Sequence, residues 1–167
     1  MPHLWQLQND QWEPAPLAGP ALALTSSGEL RPARDADAAP LRLQAAENDS
    51  WVLLARPMSA VRVNGSPVVA GMRVLRDRDE IVVGGSRSFF STERLARVEP
   101  FPGSEGATFC PRCKQEIVKD SPAVQCPGCR SWYHQREDLG CWLYSPTCQL
   151  CDQSTPLDAG YRWEPEF

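Results

Sequence analysis

A chain of 167 residues with a net charge of −4 has room for one ordinary domain or two small ones, and that charge disfavours a general nucleic-acid role. No apolar stretch approaches the length that spans a bilayer, and the N-terminus has neither the basic start nor the apolar run of a secretory signal, so the expectation is a soluble, cytoplasmic chain without a membrane partner. Fifteen arginines against two lysines, with abundant Ala and Pro, agree with a GC-rich bacterial genome.

In chain order, short runs rich in Val, Leu and aromatics recur with turn residues between them: Leu4–Leu7, Ala21–Thr25, Leu41–Ala45, Trp51–Ala55, Val61–Val63, Val68–Val69, Met72–Leu75, Ile81–Val83 and Phe89–Phe90. Strands at this spacing predict a mainly β sandwich or barrel over residues 1–99. Val61-Arg-Val-Asn64-Gly65 alternates and then meets Asn-Gly, the strongest short hairpin signal. The polar run Arg76–Glu80 is a second turn, and Thr92–Arg97 is the one place before the linker where a turn or two of helix is expected.

The segment Val61–Gly85, VRVNGSPVVAGMRVLRDRDEIVVGG, resembles the second half of a forkhead-associated (FHA) domain, in which an Asn-Gly turn precedes an acidic turn, an apolar strand and a closing glycine. The resemblance implies an FHA-like β-sandwich. Of the residues with which that family holds phosphothreonine, Asn64 alone has a match; there is no Gly-Arg near the early strands and no Ser-x-x-His, His3 and His134 being the only histidines. The implied role is a docking platform that does not bind phosphothreonine peptides.

Paired prolines and glycines break helix and ladder alike, so the linker is set at residues 100–107 within Glu99-Pro-Phe-Pro-Gly-Ser-Glu-Gly106. Beyond it, residues 108–152 hold all seven cysteines and a histidine: Cys110-x2-Cys113, Cys126-x2-Cys129, His134, Cys141 and Cys148-x2-Cys151. A C-x2-C knuckle lets two thiolates reach one ion, and eight soft donors make two closed tetrahedral zinc sites. A disulfide framework would need an oxidising compartment and would strand one of the seven thiols. Over residues 108–151, five Lys/Arg against four carboxylates leave no basic face, which again excludes phosphate-backbone binding. Ile117, Val118, Val124, Trp132, Tyr133 and Leu139 are the expected core, and Gln135–Gly140 is expected to bulge or form a short helix.

Cys126-Pro-Gly-Cys129-Arg-Ser-Trp132-Tyr133-His134 followed by Cys141 resembles the centre of RING and plant homeodomain (PHD) fingers, and the opening CPxC with CPGC and an aromatic-His pair resembles the prokaryotic RING-finger family. The resemblance implies cross-bracing. Cys110, Cys113, His134 and Cys141 would then hold one Zn2+, and Cys126, Cys129, Cys148 and Cys151 the other. Spacing alone leaves sequential pairing open, with Cys110 to Cys129 on one ion and His134 to Cys151 on the other. The family implies a ligase or ligase-like adaptor in a bacterial ubiquitin-like conjugation pathway, whose partner is a conjugating enzyme met through an exposed apolar patch of Pro111, Ile117, Trp142, Leu143 and Pro146. With every cysteine committed to metal, no residue is left for a covalent intermediate, and there is no catalytic residue in that sense. The alternative is a PHD-like peptide-binding or structural module, in which Glu137, Asp138 and the acidic tail at Asp152, Asp158, Glu164 and Glu166 meet a basic segment. The tail, residues 153–167, ends in Tyr161, Trp163 and Phe167, and is expected to pack back on a domain or to dock a partner.

Overall fold

The structure, a computed structural model, describes residues 1–34, 38–47, 50–157 and 159–166. Asp158 of the acidic tail and the terminal Phe167 lie outside the described residues. The chain divides into two compact units, one of Met1–Glu93 with Trp163–Phe167 and one of Arg94–Arg162. The described residues are mainly β. Their single helical element is a 3-10 turn at Val69–Gly71, and no helix is long and apolar enough to cross a membrane.

The first unit is two antiparallel sheets. One takes β1 (His3–Gln8), β2 (Gln11–Pro16), β7 (Val61–Val63), β8 (Ser66–Pro67), β10 (Glu80–Val83) and β11 (Ser86–Ser91) in the order β2-β1-β11-β10-β7-β8. The other takes β3 (Ala21–Leu24), β4 (Leu30–Pro32), β5 (Leu41–Ala45), β6 (Trp51–Ala55) and β9 (Met72–Val74) in the order β4-β3-β5-β6-β9. Alternate residues point to opposite faces of a strand, so one face of each sheet collects the apolar set. Leu4, Val61, Val63, Ile81, Val83 and Phe90 of the first sheet share a single buried core with Leu22, Leu24, Leu41, Leu43, Trp51 and Leu53 of the second.

Register is pinned by tight turns. Asn9-Asp10, Asn64-Gly65 and Gly84-Gly85 all carry positive φ at both positions and join strands paired at Gln8↔Gln11, Val63↔Ser66 and Val83↔Ser86. This is the type I′ geometry whose twist matches that of paired strands. At Gly84, φ is 56° and a Cβ would sit 2.5 Å from the Ser26 carbonyl oxygen, so only glycine fits there. Asn64 does more than turn the chain. Its amide donates to Asp79 Oδ1 at 2.7 Å and its carbonyl accepts from the Glu80 N–H at 2.8 Å, while Asp79 Oδ2 accepts from the Arg76 N–H at 2.9 Å. The side chain read as a phosphate-binding match thus ties the β7–β8 turn to the buried Asp79.

Two local expectations give way. Val68–Val69 is not a strand, because the I′ turn sets Ser66 and Pro67 opposite Val63 and Arg62 and the chain then enters the 3-10 turn. Thr92–Arg97 is not helical; Asp77 Oδ1 takes both the Thr92 N–H, at 2.7 Å, and the Thr92 hydroxyl, at 3.1 Å, which ties the chain there to the Arg76–Glu80 turn. The chain end also has a place: Trp163 lies edge-on to Phe89 at 5.8 Å with the Arg78 guanidinium 5.3 Å from its ring, and its backbone N–H donates to Glu93 Oε2 at 3.3 Å.

The second unit is a four-stranded sheet, β12 (Val98–Pro100), β13 (Pro122–Gln125), β14 (Trp132–Arg136) and β15 (Leu139–Gly140), in that order. It begins ahead of the Pro-Gly segment read as a linker. Val98–Pro100 pairs with β13, and the buried Phe101 exchanges backbone hydrogen bonds with Asp120 and Ser121 and meets Trp132 edge-on at 5.2 Å. The proline closes an edge strand, where a missing N–H costs no ladder bond. Gln135–Gly140 forms neither a bulge nor a helix but a hairpin, with Gln135↔Gly140 and Arg136↔Leu139 paired. Of the expected core, Ile117, Val124 and Tyr133 are buried and Trp132 and Leu139 pack against them, whereas Val118 is exposed.

Candidate metal centre

The first two knuckles are built alike. In Cys110-Pro-Arg-Cys113-Lys114-Gln115, the Lys114 N–H donates to the Cys110 carbonyl at 2.9 Å and the Cys110 N–H to Gln115 at 2.9 Å; in Cys126-Pro-Gly-Cys129-Arg130-Ser131, Arg130 and Ser131 repeat both bonds at 2.9 Å. Lys114 and Arg130 take φ of 61° and 62°, the left-handed step that closes each loop. Cys148 repeats the second bond, its N–H donating to Gln153 at 2.8 Å. Such a loop turns its N–H groups and both thiols toward one point.

The structure brings the eight donors together as two clusters that could hold metal ions: Cys110, Cys113, His134 and Cys141, and Cys126, Cys129, Cys148 and Cys151. Within each, all ligand atoms lie within 4.8 Å of one another. The sheet makes the interleaving. β13 runs directly into Cys126, the second knuckle turns the chain, and β14 returns carrying His134 to the other cluster, with Ala123 opposite His134. β15 then delivers Cys141 beside it.

The donor geometry fits a tetrahedral ion. Sulfurs about 2.3 Å from a common centre stand about 3.8 Å apart, and here Cys126 and Cys151 are separated by 3.6 Å and Cys129 and Cys148 by 3.7 Å. Those separations are far beyond a disulfide bond, and all seven thiols are free. In the first cluster, His134 Nδ1 faces Cys113 Sγ at 3.4 Å. Its Nε2 lies 3.1 Å from the Glu116 carbonyl, which accepts the Nε2 proton and leaves the Nδ1 lone pair for the centre.

Electrostatics differ from sulfur to sulfur. Burial pushes the Cys126 thiol up, and burial with the hydrogen bond that the Cys141 thiol gives to Cys113 pushes Cys141 up to about 12. At Cys148 burial would also raise the value, yet the Tyr133 hydroxyl 3.1 Å away and the N–H groups of Leu150 and Cys151 outweigh it and bring the thiol down to about 7. At Cys110 burial is likewise outweighed, by the backbone N–H of Cys113 first, and the thiol falls to about 7. Each cluster therefore offers one sulfur poised as thiolate near neutral pH.

Sequence reasoning did not single out two supports of the second cluster. One is the Tyr133 hydroxyl, because a Tyr beside the ligand histidine reads as core. The other is Gly128, where a Cβ would lie 3.1 Å from Cys151 Sγ and 3.4 Å from Gln153 Cβ. The signal for it was present in the CPGC word.

The five residues expected to form an exposed apolar patch do not do so together. Trp142 is 1 % exposed and Ile117 2 %, and both belong to the core. Trp142 packs edge-on against Tyr133 at 5.2 Å, since a segment with so few large apolar side chains uses its Trp to fill the space between its ligand loops. Leu143 and Pro146 are exposed and Pro111 is half-buried. Tyr144, at 78 %, and Leu150 are exposed as well. The Arg112 guanidinium lies 4.6 Å from the Tyr144 ring, held there by its bond to the Cys141 carbonyl at 3.0 Å.

No protein-family model, curated protein or solved structure matches this chain.

Proposed function

We propose that Arg94–Arg162 is a RING/PHD-like finger holding two Zn2+, that the two-sheet unit is FHA-like, and that the chain is a ligase or ligase-like adaptor in a bacterial ubiquitin-like conjugation pathway. The observation that carries the reading is the interleaved grouping of donors, first knuckle with His134 and Cys141, second knuckle with third, which is the cross-braced order of those families. Zinc supplies folding free energy here, since four protein donors leave each ion no open position for water. The two sheets with one shared core support the FHA-like part.

The chain's own residues act by position. Loops ordered at the two metal clusters present Pro111, Leu143 and Pro146, joined by Tyr144 and Leu150, as a surface for the conjugating enzyme. Arg112 stiffens it by spanning the Cys141 carbonyl and the Tyr144 ring. Any acceleration comes from holding the charged conjugating enzyme and acceptor together, because every thiol is committed to a metal cluster and none is left to carry a thioester.

The test is reconstitution with the purified conjugating enzyme and its ubiquitin-like protein. The wild-type chain accelerates discharge of the thioester, and Tyr144→Ala, which removes an exposed aromatic, weakens the complex by about 2 kcal/mol with both metals retained. If the wild-type chain neither binds the conjugating enzyme nor speeds discharge, the ligase reading fails and a PHD-like peptide-binding module replaces it. Glu137, at the exposed tip of the β14–β15 hairpin, is then the first residue to test against basic peptides.

A further inference from the structure

Among the described residues the first unit has four strands at the edges of its sheets, and three are blunted by proline: Pro14 and Pro16 in β2, Pro32 in β4 and Pro67 in β8. Proline on an edge removes the N–H that another chain would pair with. The fourth edge, β9, is Met72-Arg73-Val74, with no proline. Its Met72 and Val74 are 61 % and 59 % exposed, and the preceding Val69 is 79 % exposed. A groove of about 390 Å³ runs beside it, lined by Pro67, Val69, Met72, Arg73, Val74 and Arg76.

The backbone of β9 is turned to accept a strand. The Leu75 N–H donates to Trp51 on β6 at 2.9 Å, and β9 pairs with β6 at Leu53↔Arg73. Hydrogen-bonding direction alternates along a strand, so Met72 and Val74 aim their N–H and C=O groups away from β6. The side chains set the partner's chemistry. Met72 and Val74 share one face, opposite Leu54 and Val52 of β6, and Arg73 lies between them on the other. Neither the Arg73 nor the Arg76 guanidinium has an ion-pair partner among the described residues.

We propose that β9 is a docking edge for an extended segment of another protein that alternates apolar and acidic residues, added as a sixth strand to the five-stranded sheet. Apolar side chains of that segment cover Met72 and Val74, acidic ones meet Arg73 and Arg76, and main-chain bonds form to Met72 and Val74. A second copy of the chain is the wrong occupant. Antiparallel self-pairing centred on this three-residue strand sets Arg73 against Arg73, and like charges directly opposite are destabilising. The inference is independent of what the finger does.

The test uses the full chain and three synthetic probes: a nonapeptide alternating Val and Glu, the same peptide with Lys for Glu, and the Val-Glu peptide N-methylated at alternate residues on its bonding edge. The expected result is binding of the Val-Glu peptide at least tenfold tighter than either other probe, weakened by salt. Val74→Pro removes only an outward N–H, as the other edges already do, and lowers affinity for the Val-Glu peptide at least tenfold. Arg73→Glu, which leaves the backbone alone, reverses the preference toward the Val-Lys peptide and keeps the inference testable should the proline variant fold poorly. Equal binding of the methylated probe, no preference for Glu over Lys, or a dimer in sedimentation that Val74→Pro dissolves would each overturn the proposal.

Discussion

The β unit and the finger bury side chains for different ends. Fourteen residues form the β core and every one is aliphatic or aromatic. The finger's core has eleven, of which Cys110, Cys126, Cys141 and Cys148 belong to the two donor clusters, so that seven are ordinary apolar packing. A segment of that size is short of apolar burial to offset its chain entropy, and metal held at its two clusters would supply the difference. The lesson is one of cause: the same β geometry arises once from alternating apolar residues and once from donors that fix where the loops meet.

The strongest way to break this comparison is to remove the metal. Chelation, or Cys126→Ser, should unfold Arg94–Arg162 and leave the two-sheet unit with protected amides, read by hydrogen exchange, because structural zinc contributes on the order of 10 kcal/mol or more to such fingers. Elemental analysis should give two zinc ions in the wild type. Cys148→Ser separates the pairings: the interleaved order predicts loss of the ion held with Cys126, Cys129 and Cys151, while sequential pairing would spare Cys110 to Cys129. Retention of the ion at that second knuckle would sink the interleaved assignment.

Next in size are truncations of each core. Leu53→Ala in the β unit should cost about 2–5 kcal/mol and leave metal content unchanged, because Leu53 is fully buried among aliphatic side chains. Trp142→Ala should cost about 3–5 kcal/mol and also lower metal affinity, because the Trp fills the space between ligand loops. A Trp142→Ala finger with unchanged metal affinity would mean that its core and its ions are not coupled. Smaller still is Asn64→Ala, which takes one donor from the buried Asp79 carboxylate and should cost about 1–3 kcal/mol by denaturant titration of the β unit alone.

Much of this was legible beforehand for reasons that differ along the chain. Leu41–Ala45, Trp51–Ala55 and Val61–Val63 have the observed strand limits because their burial alternates and a turn bounds each. The eight donors announce themselves by spacing, whereas their grouping does not follow from spacing and needs the β13–β14 hairpin, which sends neighbouring strands to different clusters. Among the strands overlooked, Gln11–Pro16, Leu30–Pro32 and Val98–Pro100 contain proline, which disguises an edge strand as a loop, whereas Trp132–Arg136 and Leu139–Gly140 were hidden among the ligand residues. Trp142 misled for a related reason. Beside ligands and polar residues it looks exposed, and only the return of β14 and β15 encloses it.

The finest test lies within the finger, at a hydrogen bond that joins its packing to its ions. Tyr133 is buried against Trp142, and its hydroxyl donates to Cys148 Sγ at 3.1 Å. That bond favours the charged sulfur over the neutral thiol, whose folded value it helps to depress to about 7 against the outward push of burial. A depressed value means the thiolate is kept above that pH and lost as pH falls through it. A metal-bound sulfur retains part of its negative charge and still accepts the bond; a protonated one gains little from it. Tyr133→Phe keeps the ring and deletes the donor, so protons should compete better with the second ion and its release on acidification should shift to higher pH. One hydrogen bond is worth about 1 kcal/mol, which corresponds to somewhat less than one pH unit. The first cluster, which lacks this donor, should release its ion at an unchanged pH. Cobalt substitution separates the two by their absorption, since one site has three sulfurs and a nitrogen and the other four sulfurs. A shift of both sites together would assign Tyr133 to packing alone.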